Sequence, residues 1–222
     1  MRRILKVFRK LRPKPDHEVF ESSNGALILP PKHLRFGGVH FKINSDYVDS
    51  GIRDLENLKA GFPLGSKAKI LDFGCGTGRL ATGIKAAKIE IDYYCGIDVS
   101  QERISFARSY LSDAKFEFLW YNSLNERYNS RAEPHALLPV GDNLFDAVFS
   151  YSVFSHFGPD DTSFYLSELK RVLKNSGGVM LTAFLRDGPD EYVENPADFT
   201  PAEISIGDQS SFGRDGGSML CF

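Results

Sequence analysis

The sequence predicts a doubly wound α/β fold, a mostly parallel sheet with helices on both faces, and three observations carry that expectation. Apolar, strand-like runs at residues 69–73, 93–98, 115–121, 145–150 and 178–184 alternate with helical segments near 79–88, 101–111 and 161–174. The links between them are short, and alternating strands and helices with short links bury a parallel sheet between two helical layers. Asp72, Asp98, Asn122 and Ser150 all stand at carboxyl ends of these runs, the edge where such sheets bind ligands. With 222 residues and 42% hydrophobic content, the chain has apolar material for one substantial core.

Residues 1–45 read as a basic tail followed by an extended arm. Arg2, Arg3, Lys6, Arg9, Lys10, Arg12 and Lys14 crowd the start, and Pro13, Pro15, Pro30 and Pro31 punctuate the irregular stretch after it. Ile4, Phe8 and Leu11 recur at helical spacing among the basic residues, which leaves two readings: a short helix in weak contact with an anionic membrane surface, or a solvated tail. The arm proper is PPKHLRFGGVHF at residues 30–41. A helix is expected over residues 46–59, with Val48, Ile52, Leu55 and Leu58 as its apolar stripe and Gly61 ending it. Residues 46–185 then form the core, and residues 186–222 an acidic, irregular segment. From residue 187 onward there are eight acidic side chains and one arginine, residues 196–217 are rich in Gly, Ser, Asp and Pro, and residues 218–222 make only a very short apolar end.

Bulk properties exclude several classes. A net charge of -2 gives no global attraction to nucleic acid. Cys75, Cys95 and Cys221 lack metal-ligand spacing and suggest no disulfide framework, which fits a reducing, cytoplasmic setting. No apolar run approaches the roughly 20 residues that cross a bilayer.

The most informative stretch is ILDFGCGTGRL at residues 70–80. A strand ending near Asp72 and a helix starting near Gly78 leave Gly74, Cys75, Gly76 and Thr77 to turn tightly beneath a ligand. Glycine suits such a turn because it reaches left-handed backbone angles and lets a ligand lie against the main chain. The dinucleotide fingerprint GxGxxG, begun at Gly74, requires glycine at position 79, where the chain has Arg79. Asp72 would also repel a pyrophosphate, whereas the ammonium of a zwitterionic amino acid attracts a carboxylate. An NAD-dependent oxidoreductase is disfavoured on both grounds. Asp98, twenty residues beyond Gly78, is placed to accept the hydroxyls of a ribose, a role common to both cofactor classes; its alternative, capping the next helix, competes with Ser100.

The DxGxGxG order resembles the first motif of class I S-adenosylmethionine-dependent methyltransferases, of the small-molecule and saccharide type. The resemblance runs from residue 69 to about 185, through Leu138-Pro139-Val140, the DxxFD turn at residues 142–146 and the Lys-x-x-Gly-Gly turn at residues 174–178. The arm is similar, more weakly, to a bacterial subgroup associated with glycosyl transfer and cell-surface saccharides. The family implies a Rossmann-like sheet ending in an antiparallel hairpin, and the sequence after residue 185 leaves open whether that hairpin is missing or the chain truncated. It implies S-adenosylmethionine as cofactor and S-adenosylhomocysteine as product. Asp72 and the turn from Gly74 through Cys75, Gly76 and Thr77 to Gly78 would take the methionine portion, and Asp98 with Val99 the ribose. Asn122, beside Ser123, would meet the adenine amine or serve as a plain turn residue. Ser150, Tyr151 and Ser152 would complete the cleft.

Methyl transfer from a sulfonium is an in-line displacement that needs alignment and no metal. Enzymes of this fold that methylate exocyclic amines of bases or amides often carry Asn/Asp-Pro-Pro-aromatic after the fourth strand; here the residues are Ser150-Tyr151-Ser152-Val153, which counts against that substrate class and leaves transfer to oxygen as the expectation. An oxygen nucleophile needs a proton acceptor, and His156 is the nearby candidate by intrinsic basicity, with a helix-end or surface role as the alternative. His40 and Tyr47 could cover the cofactor. Two functions are therefore open: a methyltransferase acting on a small-molecule or saccharide acceptor, or a catalytically silent cofactor-binding domain. Neither the acceptor nor the oligomeric state is encoded in a motif.

Overall fold

In a computed structural model, residues 16–123 and 135–183 are described, together with the backbone of three short strands beyond them. In chain order, β1 (Glu18–Ser22) and β2 (Gly25–Leu29) form a hairpin, and α1 (Asn44–Gly61) comes next. Then come β3 (Lys69–Phe73), α2 (Arg79–Ala86), β4 (Tyr93–Asp98), α3 (Gln101–Tyr110), β5 (Phe116–Trp120), β6 (Phe145–Ser150), α4 (Pro159–Val172) and β7 (Leu173–Ala183). The short strands are β8 (Ser205–Ile206), β9 (Gln209–Ser210) and β10 (Ser218–Cys221). The basic residues 2–14 and most of the acidic segment after residue 183 lie outside the described residues.

The main sheet has the order β10-β7-β6-β3-β4-β5, parallel except for β10, which pairs antiparallel with β7 from Ser218 opposite Ala183 to Cys221 opposite Met180. The stretch expected to be only a short apolar end therefore supplies an antiparallel edge strand, because pairing with β7 satisfies backbone groups that the local sequence cannot. The chain runs outward from β3 through β4 to β5, then returns to β6 on the other flank, so the direction of winding reverses between β3 and β6. Ligands bind at such a reversal, above the carboxyl ends of the strands.

Period-two alternation along β3 explains the two helical layers. Ile70 faces α1, α2 and α3 with Leu55, Leu58, Leu80, Ile84 and Ile104, whereas Leu71 and Phe73 face α4 with Leu169 and Val172. Fully burying each such aliphatic side chain contributes about 1.5–3 kcal/mol. The first layer depends on a contact that hydropathy does not reveal. Gly51 of α1 lies against Gly83 of α2, and a Cβ on Gly83 would fall 2.1 Å from the Gly51 backbone. The two helices thus touch main chain to main chain, bringing α1 down onto the helix that starts at the glycine turn.

Residues 18–29, expected within the irregular tail and arm, pair instead as the β1–β2 hairpin, and three further departures from the sequence expectation have identifiable reasons. α2 stops at Ala86 because Lys88 takes a left-handed φ of 52°. β7 begins at Leu173, immediately after α4, and absorbs the glycine turn as a bulge: Phe145 pairs with Leu173 but Ala147 pairs with Gly178. Lys174 closes that bulge by donating to Asp146 at 2.6 Å. The arm, expected to be extended, is instead wound into two single 3-10 turns, Lys32–Leu34 and Val39–Lys42. The reason is Arg35, which is 1% exposed and donates to the carbonyls of Pro30 and Phe41 and to Asn44 Oδ1, gathering the arm around one guanidinium. On the opposite flank Arg171 plays a similar part, donating to Glu168, Asp142 and the carbonyls of Leu138 and Val140 to hold the loop before β6 on α4.

Candidate cofactor site

The turn after β3 is held by backbone hydrogen bonds from the neighbouring strand: Gly74 N and Cys75 N both donate to the Ile97 carbonyl, at 2.8 and 3.0 Å. Gly76 takes φ 56°, and the nearest atom to a Cβ there would be Arg103 Cδ at 3.9 Å, so its main chain lies bare toward open space. Gly78, at φ 82°, serves the other side; its missing side chain makes room for Leu111 and Phe118 as α2 begins. One glycine thus exposes backbone to a ligand while the other lets the helix pack.

Asp72 and Asp98 end their strands on this turn, both buried. Asp98 accepts from Gly76 N at 2.8 Å through Oδ2 and from Ser100 N at 2.7 Å through Oδ1. Ser100 caps α3, its hydroxyl accepting from Arg103 N, so Asp98 is not that helix's side-chain cap. A carboxylate offers about four acceptor sites, so two remain after the two backbone bonds. Burial raises the Asp98 pKa above the ordinary carboxylate value. Asp72 accepts from the Tyr94 hydroxyl, which reaches it because β4 places Tyr94 beside Ile70 on the same sheet face. Burial pushes Asp72 up to about 7, against the opposing influences of Tyr94 and Arg79. Burial also pushes the Cys75 thiol well up, which leaves it un-ionised at neutral pH.

These groups face a cavity of about 400 Å³, large enough for a nucleoside-sized ligand. Its wall includes the expected Asp72, Gly74, Cys75, Gly76, Thr77, Asp98, Val99, Tyr151, Ser152 and His156. Gly78 sits one residue behind the wall. Asn122 is exposed just past β5, and Ser123 is buried with its hydroxyl 2.6 Å from that of Tyr165. Ser150 is fully buried, its hydroxyl without a partner among the described residues. Tyr47 reaches the cavity and its hydroxyl lies 3.0 Å from Thr77 Oγ1, whereas His40 packs edge-on to Phe41 away from it.

Other wall residues carry no motif. Leu34, Phe36 and Gly37 come from the wound arm, and Tyr121, Phe157 and Tyr165 form an aromatic floor with Phe73. Arg79, which breaks the dinucleotide pattern, is ion-paired to Asp54 and stacked between the rings of Phe41 and Tyr151, at 4.7 and 4.6 Å from their centroids. Its charge is thereby neutralised at the cavity wall. Ser152, at the turn after β6, holds a left-handed φ of 56° and donates from its backbone N–H to Thr182 Oγ1. Such backbone strain in a non-glycine residue concentrates at ligand sites. His156 is exposed at the end of the 3-10 turn Phe154–His156, and its ring makes no hydrogen bond to another described residue.

The donor set fits an amino acid joined to a nucleoside. Two buried carboxylates and bare glycine backbone can take an ammonium and hydroxyls, whereas a pyrophosphate would meet like charge. Among the described residues there is no cluster of ligating side chains that could hold a metal ion, and no helix long and apolar enough to cross a membrane. Fold and site together define a domain that binds an adenosine-type cofactor.

The comparison with known families narrows this class. A family model described as a methyltransferase domain matches residues 71–181, half of the chain, and the chain belongs to that family, whose cofactor is S-adenosylmethionine. Solved structures with a similar fold include a chain from the complex between the Haloferax volcanii Trm112 methyltransferase activator and a methyltransferase, at 22% identity and TM-score 0.48, covering 63% of this chain and 55% of that one. An S-adenosylmethionine-dependent methyltransferase from Mesorhizobium loti matches at 18% identity and TM-score 0.46, covering 61% and 55%. A protein from Pyrococcus horikoshii matches at 23% identity and TM-score 0.47, covering 67% of each chain. The chain spans about half the length of several matched structures, 55%, 50% and 48% in three of them.

Proposed function

We propose that this chain methylates a small-molecule or saccharide acceptor at oxygen. The observation that carries the reading is the division of one cavity wall. Buried carboxylates and glycine backbone line one part, and the strained Ser152 turn with the exposed His156 lines another. When bound, S-adenosylmethionine would supply an electrophilic methyl group on a sulfonium. Asp72 would hold the ammonium of the methionine portion, Asp98 the ribose hydroxyls through its remaining acceptor sites, and Asn122 the adenine edge. Tyr47 orients the Thr77 hydroxyl of the glycine turn. The aromatic floor excludes water from the path of displacement, which favours alignment of the reacting atoms. His156 would accept the proton leaving the acceptor hydroxyl, within reach of solvent for its release.

Calorimetry with S-adenosylhomocysteine and NAD, followed by a product search with oligosaccharide and small-molecule hydroxyl acceptors, tests the reading. Binding of S-adenosylhomocysteine with a methylated hydroxyl product supports it. Binding without product across those acceptors would favour a silent cofactor-binding domain, and binding of NAD alone would overturn both.

A further inference from the structure

The arm that walls the cavity also carries the molecule's most exposed aliphatic side chain among the described residues. Val39 is 88% exposed, Ile43 55% and Phe36 47%, all within eight residues of one segment. Their exposure does not come from a loose chain. Arg35 gathers the arm from inside, and the Lys42 ammonium donates to the carbonyls of Lys32 and Arg35, so the turns that present these side chains are pinned at both ends. Gly37 and Gly38, at φ 101° and 150°, carry no side chains between Phe36 and Val39. Apolar side chains held out toward water by an ordered framework mark a surface for a partner.

The charge around it selects the partner's chemistry. Residues 30–43 contain Lys32, His33, His40 and Lys42, besides the buried Arg35 that pairs with Glu18, and no acidic residue; the next acidic side chains along the chain, Asp46 and Asp49, belong to α1. The Phe36 ring lies 4.0 Å from the Arg103 guanidinium and 5.6 Å from the Lys42 ammonium. Seven further lysines and arginines, again with no acidic residue, occur within positions 1–15. Aliphatic prongs on a segment whose own accessible charges, Lys32 and Lys42, are cationic match an anionic lipid surface, into which apolar side chains insert while cations stay at the phosphates.

We propose that the face formed by Phe36, Val39 and Ile43 docks this protein on an anionic lipid bilayer, with the cavity mouth at headgroup level. Docking of this kind needs no cofactor and stands whether or not the methyl-transfer reading holds. The full chain, tested by co-sedimentation, partitions onto phosphatidylcholine vesicles containing about 30% phosphatidylglycerol and not onto phosphatidylcholine alone, and added salt weakens it. The double variant Val39→Asp/Ile43→Asp changes only exposed positions and lowers that partitioning by about tenfold or more, with an unchanged circular dichroism spectrum. Val39→Trp shows a blue-shifted emission on the anionic vesicles relative to the same protein in buffer. Equal pelleting of wild type and double variant would overturn the proposal, since the basic tail alone would then account for binding. So would no pelleting of the wild type, no shift for Val39→Trp, or a wild-type dimer that the double variant dissolves, which would make the face a contact between copies of this chain.

Discussion

The two halves of the cavity are built by different means. On the cofactor half, Asp72 and Asp98 are buried at strand ends, and the glycine turn is tied to Ile97 and Asp98 by its own backbone. On the other half, Phe36, Ser152 and His156 are exposed side chains on turns, with Ser152 in a strained left-handed conformation. A wall made of backbone and buried acid is fixed by the sheet and can hold one kind of ligand. A wall made of side chains on turns is free to change without disturbing the core, so under the proposed function the choice of acceptor would reside there.

If the halves are this distinct, substitutions should separate them. The largest effect is expected at the foundation of the cofactor half: Gly83→Ala drives a methyl group into the Gly51 backbone and should cost about 3 kcal/mol of stability in urea unfolding, while Val39→Ala on the arm stays within about 0.5 kcal/mol. Next, His156→Ala should lower turnover by about 100-fold with an identified acceptor, yet leave S-adenosylhomocysteine affinity unchanged in calorimetry. Equal loss of both would dissolve the proposed division. Asp72→Asn should do the reverse, weakening cofactor binding by about 30-fold through loss of a charge-assisted contact while sparing the fold.

The smallest effect is a pH dependence confined to the cofactor half. With its pKa raised to about 7 by burial, Asp72 is neutral in the folded protein below that pH. Its contribution to folding is complete below the ordinary carboxylate pKa and is lost as pH rises through about 7, so Asp72→Asn should flatten that part of the stability profile. The cofactor ammonium prefers the ionised carboxylate, so affinity should rise with pH and be about tenfold weaker at pH 6 than at pH 8, with proton release measurable by calorimetry in buffers of different ionisation enthalpy.

Much of the cofactor half is legible in the sequence because it is local. β3, β4 and β6 begin and end where the apolar runs do, and the glycine spacing together with Asp72 and Asp98 places two strand ends against one turn. Tyr94 is legible in principle, since period-two alternation puts it on the face of Asp72, but nothing in its own neighbourhood marks it as a partner. In the sequence Arg79 stands out only as a missing glycine; its pairing with Asp54 joins residues on two helices that no local pattern links.

By itself, the sequence determined the order of strands and helices from α1 to β7, the carboxylates at their ends and the turn between them, because each follows from periodicity and backbone chemistry within a few residues. Only the tertiary structure decided that the arm winds around a buried Arg35, that α1 meets α2 through two glycines and that residues 218–221 close the sheet edge. Each of these rests on contacts between groups from separate elements, or from positions several residues apart. Their energy comes from steric fit and from satisfying buried polar groups, neither of which exists until the chain has folded.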